Sequence, residues 1–159
     1  MKANVRPMIT RDKTAILRML RKMPEFKPPE VTVAEEVLDS YLNDTVASEY
    51  YVFVADIDSI VVGYICYGPT PLTEATWDIY WLAVAPKRQS KGIGKSLLSF
   101  AEENIKKTSG KIVVIETSSK PEYEASRHFY LAQGYELVCR IADFYAPGDD
   151  KVIFLKRLN

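Results

Sequence analysis

The residues best suited to chemistry lie in the stretch Pro86-Lys87-Arg88-Gln89-Ser90-Lys91-Gly92-Ile93-Gly94-Lys95-Ser96. A run of strand formers from Ile79 to Ala85 stops at Pro86, which cannot donate a ladder hydrogen bond. Beyond Gly92, the residues Ile93, Leu97, Leu98, Ala101 and Ile105 recur on one helical stripe. A strand, a tight loop and a helix start aim unpaired backbone N–H groups and the positive end of a helix dipole at an anion. Gly92 and Gly94 let the backbone approach phosphate oxygens with no Cβ in the way. Arg88, Lys91 and Lys95 add positive charge around the same point. The chemistry implied is capture of a phosphate.

Three patterns could own that phosphate. Gly94-Lys95-Ser96 looks like the end of a nucleotide-binding P-loop, with the strand ending at Glu116 as its acidic partner, but the pattern needs glycine where Gln89 stands. A dinucleotide fingerprint starting at Gly92 and Gly94 finds Leu97 in place of its third glycine. The third pattern, Q/R-x-x-G-x-G/A, is met by Gln89, Gly92 and Gly94. It resembles the pyrophosphate loop of the GNAT superfamily of acyl-CoA-dependent N-acyltransferases. A second segment, Ala125-Ser126-Arg127-His128-Phe129-Tyr130-Leu131-Ala132-Gln133-Gly134-Tyr135, is similar to that superfamily's A-x-x-F-Y-x-x-x-G-F/Y signature. Two signatures in order, separated by what one strand fills, are far more specific than either alone.

The resemblance implies acetyl-CoA as co-substrate and a primary amine, on a small molecule or a peptide amino terminus, as acceptor. Backbone groups of Leu82, Ala83 and Val84 would hydrogen-bond the pantetheine arm as an added strand. Gln89, Lys91, Gly92, Gly94, Lys95 and Ser96 would surround the pyrophosphate. Tyr130 matches the tyrosine near the thioester sulfur and is the expected general acid. Glu116 resembles the strand glutamate that serves as base in protein amino-terminal acetyltransferases, and Asp78 on the preceding strand competes for that role. Two departures stand out: Tyr123 occupies a position where asparagine is common, and Ser126 fills a small alanine position. The alternative function is a non-catalytic acyl-CoA-binding or sensing module, which would need the loop but neither Tyr130 nor Glu116.

Composition narrows the field. Apolar residues make up 47% and charged residues 26%, with 21 basic and 21 acidic side chains, so no global field favours nucleic acid or an anionic membrane. Cys66 and Cys139 both sit in apolar strand-like runs and are expected to be reduced and buried, with no disulfide. The lone histidine, His128, has no neighbouring ligand types, so no metal site is expected. The amino terminus lacks the apolar core of a signal peptide, which makes a cytoplasmic protein the default; a homodimer is left open.

These groups must be positioned by elements legible in the pattern. The sequence predicts a strand over 4–9, then a helix capped by Thr10 or Asp12 and running to about Lys22. A proline-rich loop over 24–31 follows, as a candidate lip of the acceptor pocket. A second helix starts at Thr32, with Glu35 at capping-box distance, and runs to Asn43. Strands over 50–57 and 60–68 form a hairpin at Asp58-Ser59. A strand over 75–85 feeds the phosphate loop and its long helix, and 111–118 returns as a parallel strand. A helix over 122–133 precedes a last hairpin, 135–144 and 151–157. There Asp143, Phe144, Tyr145, Asp149 and Asp150 offer acidic and aromatic groups suited to a cationic amine. The expected fold is a mixed α/β single domain over 1–159, order β-α-α-β-β-β-α-β-α-β-β. Its sheet is mostly antiparallel, with the parallel strands 4 and 5 splayed apart, as the resemblance implies.

Overall fold

The computed structural model describes residues 2–159. In chain order they form β1 (Asn4–Pro7), α1 (Asp12–Arg21), α2 (Pro28–Asn43), β2 (Tyr51–Ile57), β3 (Ile60–Pro69), β4 (Thr76–Val84), α3 (Ile93–Lys107), β5 (Ile112–Ser118), α4 (Glu124–Ala132), β6 (Glu136–Ala146) and β7 (Asp149–Arg157). The strands make one sheet in the order β1-β2-β3-β4-β5-β7-β6, antiparallel everywhere except between β4 and β5. Both the element order and the mixed sheet match the expectation. Among the described residues no helix is long and apolar enough to cross a membrane.

Alternation along the strands sends side chains into two cores, one on each face of the sheet. Ile16, Leu20 and Leu38 of α1 and α2 pack over Val52, Val54 and Tyr64. On the opposite face, the stripe Ile93, Leu97, Leu98, Ala101 and Ile105 of α3 meets Ile65, Trp77, Ile79 and Val113. The helix stripe read from spacing is therefore the buried face. Asp58 and Ser59 adopt positive φ, 52° and 66°, the mirror-image turn that suits the twist of a two-residue hairpin.

Four boundaries differ from expectation. β1 ends at Pro7, and α1 begins at Asp12 with no side-chain cap. Asp12 instead accepts from the Ile9 N–H at 2.9 Å and from Nη1 and Nη2 of Arg6 at 2.8 and 3.0 Å. α2 starts four residues early, at Pro28 rather than Thr32, because Pro28 and Pro29 occupy first-turn positions where a missing N–H costs nothing. Glu30, not Glu35, accepts the Lys27 N–H at 2.6 Å. Residues 121–123 form a separate turn of 3₁₀ helix before α4, and the last hairpin is longer than read, turning only at Pro147-Gly148. The cysteines also divide. Cys66 is buried as expected, whereas Cys139 is exposed, because β6 is the outer strand of the sheet and its residues are exposed throughout.

Gly110 sets where the chain leaves α3 and enters β5. A Cβ there would collide with the Ile105 side chain and lie 2.8 Å from Trp77 Nε1 and 2.9 Å from the Ile105 carbonyl. Gly110→Ala should therefore destabilise the protein by about 2–4 kcal/mol, read from urea unfolding.

Candidate active site

β4 and β5 pair over only four residues each, from Thr76↔Ile112 to Ile79↔Ile115. Past that point β4 continues to Val84 and β5 to Ser118, but the two strands no longer pair. The divergence begins at an irregularity on the other edge of β4. Cys66 faces Trp81 and Tyr67 faces Ile79, so Tyr80 is an extra residue with no partner in β3. The bulge also switches side-chain parity. Trp77 and Ile79 join the α3 core before it, and Leu82 and Val84 do so after it, while Trp81 and Ala83 turn to the α1–α2 face. A cleft of about 1020 Å³ lies along the split, lined by both diverging strands, the 88–95 loop, the 23–30 segment and α4.

One wall is built to meet an anion. The backbone N–H groups of residues 89–95 donate to no protein acceptor among the described residues, and the next in line, Ser96, donates to the Gly92 carbonyl at 3.0 Å. Gly92 precedes α3 at φ +82°, with open space where a Cβ would point. Gly94 lies where a Cβ would sit 3.4 Å from the Phe129 ring, so α4 packs directly on the loop. Arg88 and Lys95 line the cleft beside them. Gln89 also lines it, but its side-chain amide donates to the Val84 carbonyl at 3.1 Å, tying the loop back to its strand. Lys91 and Ser96 stand off the lining; the Ser96 hydroxyl donates to Gly92 O at 3.1 Å.

Leu82, Ala83 and Val84 line the cleft on the unpaired stretch of β4. Tyr130 lines it from α4 and is 8% exposed, wedged among Phe129, Tyr135 and Phe154 at 5.6–6.2 Å between ring centroids. Burial pushes its phenol up to about 12, so it stays protonated at physiological pH. Glu116 is the first β5 residue beyond the paired segment and also lines the cleft. Asp78 does not line it. Burial pushes its carboxyl up, against a 2.6 Å hydrogen bond from the Thr70 hydroxyl and with the Glu116 charge adding to the rise.

The walls from the 23–30 segment, the end of β5 and the last hairpin carry carboxylates, those of Glu25, Glu30, Glu116 and Asp149, with Lys27 and Lys120 among them. Of the hairpin residues read as acceptor-facing, Tyr145 and Asp149 line the cleft. Asp143 and Asp150 are committed to the turn: Asp143 accepts from Gly148 N–H at 2.7 Å, and Asp150 pairs with Arg140 at 2.6 Å.

Sequence reading missed three features. Tyr80, on the bulge, has its phenol pushed up to about 12 by burial and by the Asp78 charge. Tyr123 donates to the Glu25 carbonyl at 2.8 Å and joins the β5–α4 turn to the α1–α2 segment across 98 positions of sequence. Lys151 pairs with Glu116 at 2.7 Å. The bulge and the two long-range contacts leave no local pattern; only the departure from asparagine at Tyr123 hinted at one of them. His128 is exposed, and among the described residues no group of three or more His, Cys, Asp or Glu could hold a metal.

A parallel strand pair that splits beside a glycine-bearing helix start is the architecture of the CoA-dependent acyltransferases, and comparison with known proteins agrees. Residues 48–137 match the acetyltransferase (GNAT) domain. A protein from Desulfovibrio desulfuricans assigned to the GNAT family of acetyltransferases superposes with TM-score 0.93 at 36% identity, covering 98% of each chain. The ribosomal-protein-S18-alanine N-acetyltransferase of Escherichia coli superposes with TM-score 0.77 at 16% identity, covering 99% of this chain and 94% of that one. A Salmonella typhimurium protein solved with acetyl-CoA gives TM-score 0.76 at 16% identity, covering 100% of this chain and 95% of that one. No curated protein sequence matches the chain. The chain belongs to the GNAT acetyltransferase family.

Because Tyr130 is buried neutral, it should hold its proton up to about pH 12. The ultraviolet titration difference between the native protein and Tyr130→Phe should show no tyrosinate absorbance from this residue below pH 11, allowing about one pH unit of width on either side of the midpoint.

Proposed function

We propose that the protein transfers an acetyl group from acetyl-CoA to a primary amine by direct attack within a ternary complex. The observation carrying this reading is one continuous cleft joining three features: the free N–H groups of residues 89–95, the unpaired edge of β4, and the Tyr130 and Glu116 side chains. Pyrophosphate suits the first, with Gly92, Gly94 and Lys95 closest to it. The pantetheine amides suit the edge at Leu82, Ala83 and Val84, where they would add a strand-like partner. The carboxylate-bearing walls suit the ammonium of the acceptor.

The chemistry follows from those positions. The acceptor ammonium loses a proton toward Glu116, directly or through a water. The free amine attacks the thioester carbonyl carbon, and a β4 backbone N–H stabilises the oxyanion. As the intermediate collapses, the C–S bond breaks and the Tyr130 phenol gives its proton to the departing sulfur; a second proton, lost by the nitrogen as the amide forms, restores the phenol, and Glu116 returns its own proton to solvent. A phenol that stays protonated while the enzyme waits is in the state a proton donor needs. Glu116 is favoured over Asp78 as base because it opens on the cleft, whereas Asp78 is engaged with Thr70. Lys91 and Ser96 play a smaller part in holding the cofactor than Gly92, Gly94 and Lys95, since neither lines the cleft.

Calorimetric titration should show saturable binding of acetyl-CoA and none of ATP–magnesium. Gly92→Glu, which places a carboxylate in the anion cradle, should weaken acetyl-CoA at least tenfold, about 1.4 kcal/mol. Binding of ATP–magnesium in place of acetyl-CoA would sink the assignment. With an acceptor in hand, Tyr130→Phe should lower kcat on the order of a hundredfold while leaving the acetyl-CoA dissociation constant within about twofold. Equal loss of both, or full activity, would count against the acid role, and saturable acetyl-CoA binding with no amine acetylated by the native protein would favour a sensing module.

A further inference from the structure

Glu116 is faced by titratable groups from three elements: the Asp78 carboxyl on β4, the neutral Tyr145 phenol on β6 and the Lys151 ammonium on β7. Only Lys151 is of opposite sign. Register places Glu116 opposite Ile153 and Ser118 opposite Lys151, so Lys151 is the diagonal neighbour of Glu116 on the same face of the sheet. Its side chain is only 15% exposed, and its Nζ lies 2.7 Å from Glu116 Oε2. The same Nζ lies 4.1 Å from the centroid of the Phe144 ring. Phe144 in turn stands edge-to-face on Tyr145, at 5.0 Å and 86°, and Tyr145 lines the cleft. One ammonium thus touches the candidate base and, through one ring, an aromatic wall of the acceptor side. Lys151 itself does not line the cleft.

We infer that Lys151 is a positioning residue for the transfer reaction, holding the Glu116 carboxylate and the Phe144–Tyr145 pair in their working orientation. This rests on the acetyltransferase reading above. The physical reason is like-charge repulsion. Glu116 is 45% exposed and has Asp78 as a neighbouring acid, so with nothing positive nearby its side chain gains by swinging into solvent. Lys151 removes that incentive. It takes up Oε2 and leaves Oε1 for a water or the acceptor ammonium. It also neutralises the local charge, so attraction of a cationic acceptor falls to the carboxylates elsewhere on the cleft wall. A lysine buried to this extent, with its stem against an aromatic ring, stays put where an exposed pair would not.

Two substitutions separate charge from packing. Lys151→Met keeps an unbranched stem over Phe144 and removes the cation, whereas Lys151→Arg keeps a cation within reach of both groups. With an amine that the native protein acetylates, Lys151→Met should lower kcat/KM for the amine at least tenfold and leave acetyl-CoA binding within twofold. Lys151→Arg should recover most of the loss. Equal impairment of both variants, native rates for Lys151→Met, or parallel loss of acetyl-CoA binding would each overturn the positioning role. The geometry can also be read without turnover. In a ¹³C spectrum of the protein, the Glu116 carboxyl and Tyr145 ring signals should move in Lys151→Met and stay near native in Lys151→Arg. If no amine is acetylated but the signals move as described, the functional reading fails while the pairing stands. If the signals do not move, the inference itself fails.

Discussion

The structure depends on a mismatch in one strand. β4 must pair with β3 along its full length and with β5 along less than half of it, and the extra residue at Tyr80 marks where the two demands part. A bulge bends and twists the strand that carries it, so the edge facing β5 swings away. The peptide groups left on that edge cannot be orphaned in a dry core. They have to meet water or a ligand with its own amides. The cleft, the exposure of Glu116 and the room in front of Tyr130 all follow from that one loss of pairing.

The second constraint is that α3 must begin where the departing strand ends. Pro86 stops the ladder, Gln89 ties the loop to the Val84 carbonyl, and Gly92 supplies the left-handed turn that a side chain would strain. The first-turn amides of α3 therefore open on the cleft instead of on the core. Gly94 lets Phe129 come against the loop, so α4 packs on the start of α3 and Tyr130, the next residue, is held near that loop. Ring contacts at 5.6–6.2 Å on several sides leave the Tyr130 side chain little freedom, the preorganisation that the proposed proton donor needs.

Elements governed by short-range rules were legible in the sequence. The α3 stripe, the Asp58-Ser59 hairpin and the loop glycines each declare themselves through period or backbone conformation. Ends set by a side chain reaching back were harder. α2 began four residues early because Lys27, Pro28-Pro29 and Glu30 together cap it, and Thr32-x-x-Glu35 imitates the same signal one turn later. At the site, sequence pattern named Gly92, Gly94, Glu116 and Tyr130, all of which line the cleft. It favoured Glu116 over Asp78 by resemblance, and the physical difference between them, Glu116 just past the paired segment and on the cleft, Asp78 inside it and bonded to Thr70, comes from the register of β4 against β5. Lys91 and Ser96 illustrate the reverse: right loop, but directions set by the helix turn. Contacts such as Tyr123 to Glu25 are properties of topology and have no local signature.

The division between the two cysteines gives the molecule a chemical asymmetry. Cys66 lies in the sheet interior, where burial raises its thiol far above the ordinary range and keeps it from forming thiolate. Cys139 stands on the outer strand, the same strand that carries Tyr145, and is exposed. The native chain therefore carries one handle for thiol-directed reagents. A fluorophore joined there would ride on the β6–β7 hairpin that carries Tyr145 and Asp149, reporting on movements of that hairpin with no residue of the cleft altered.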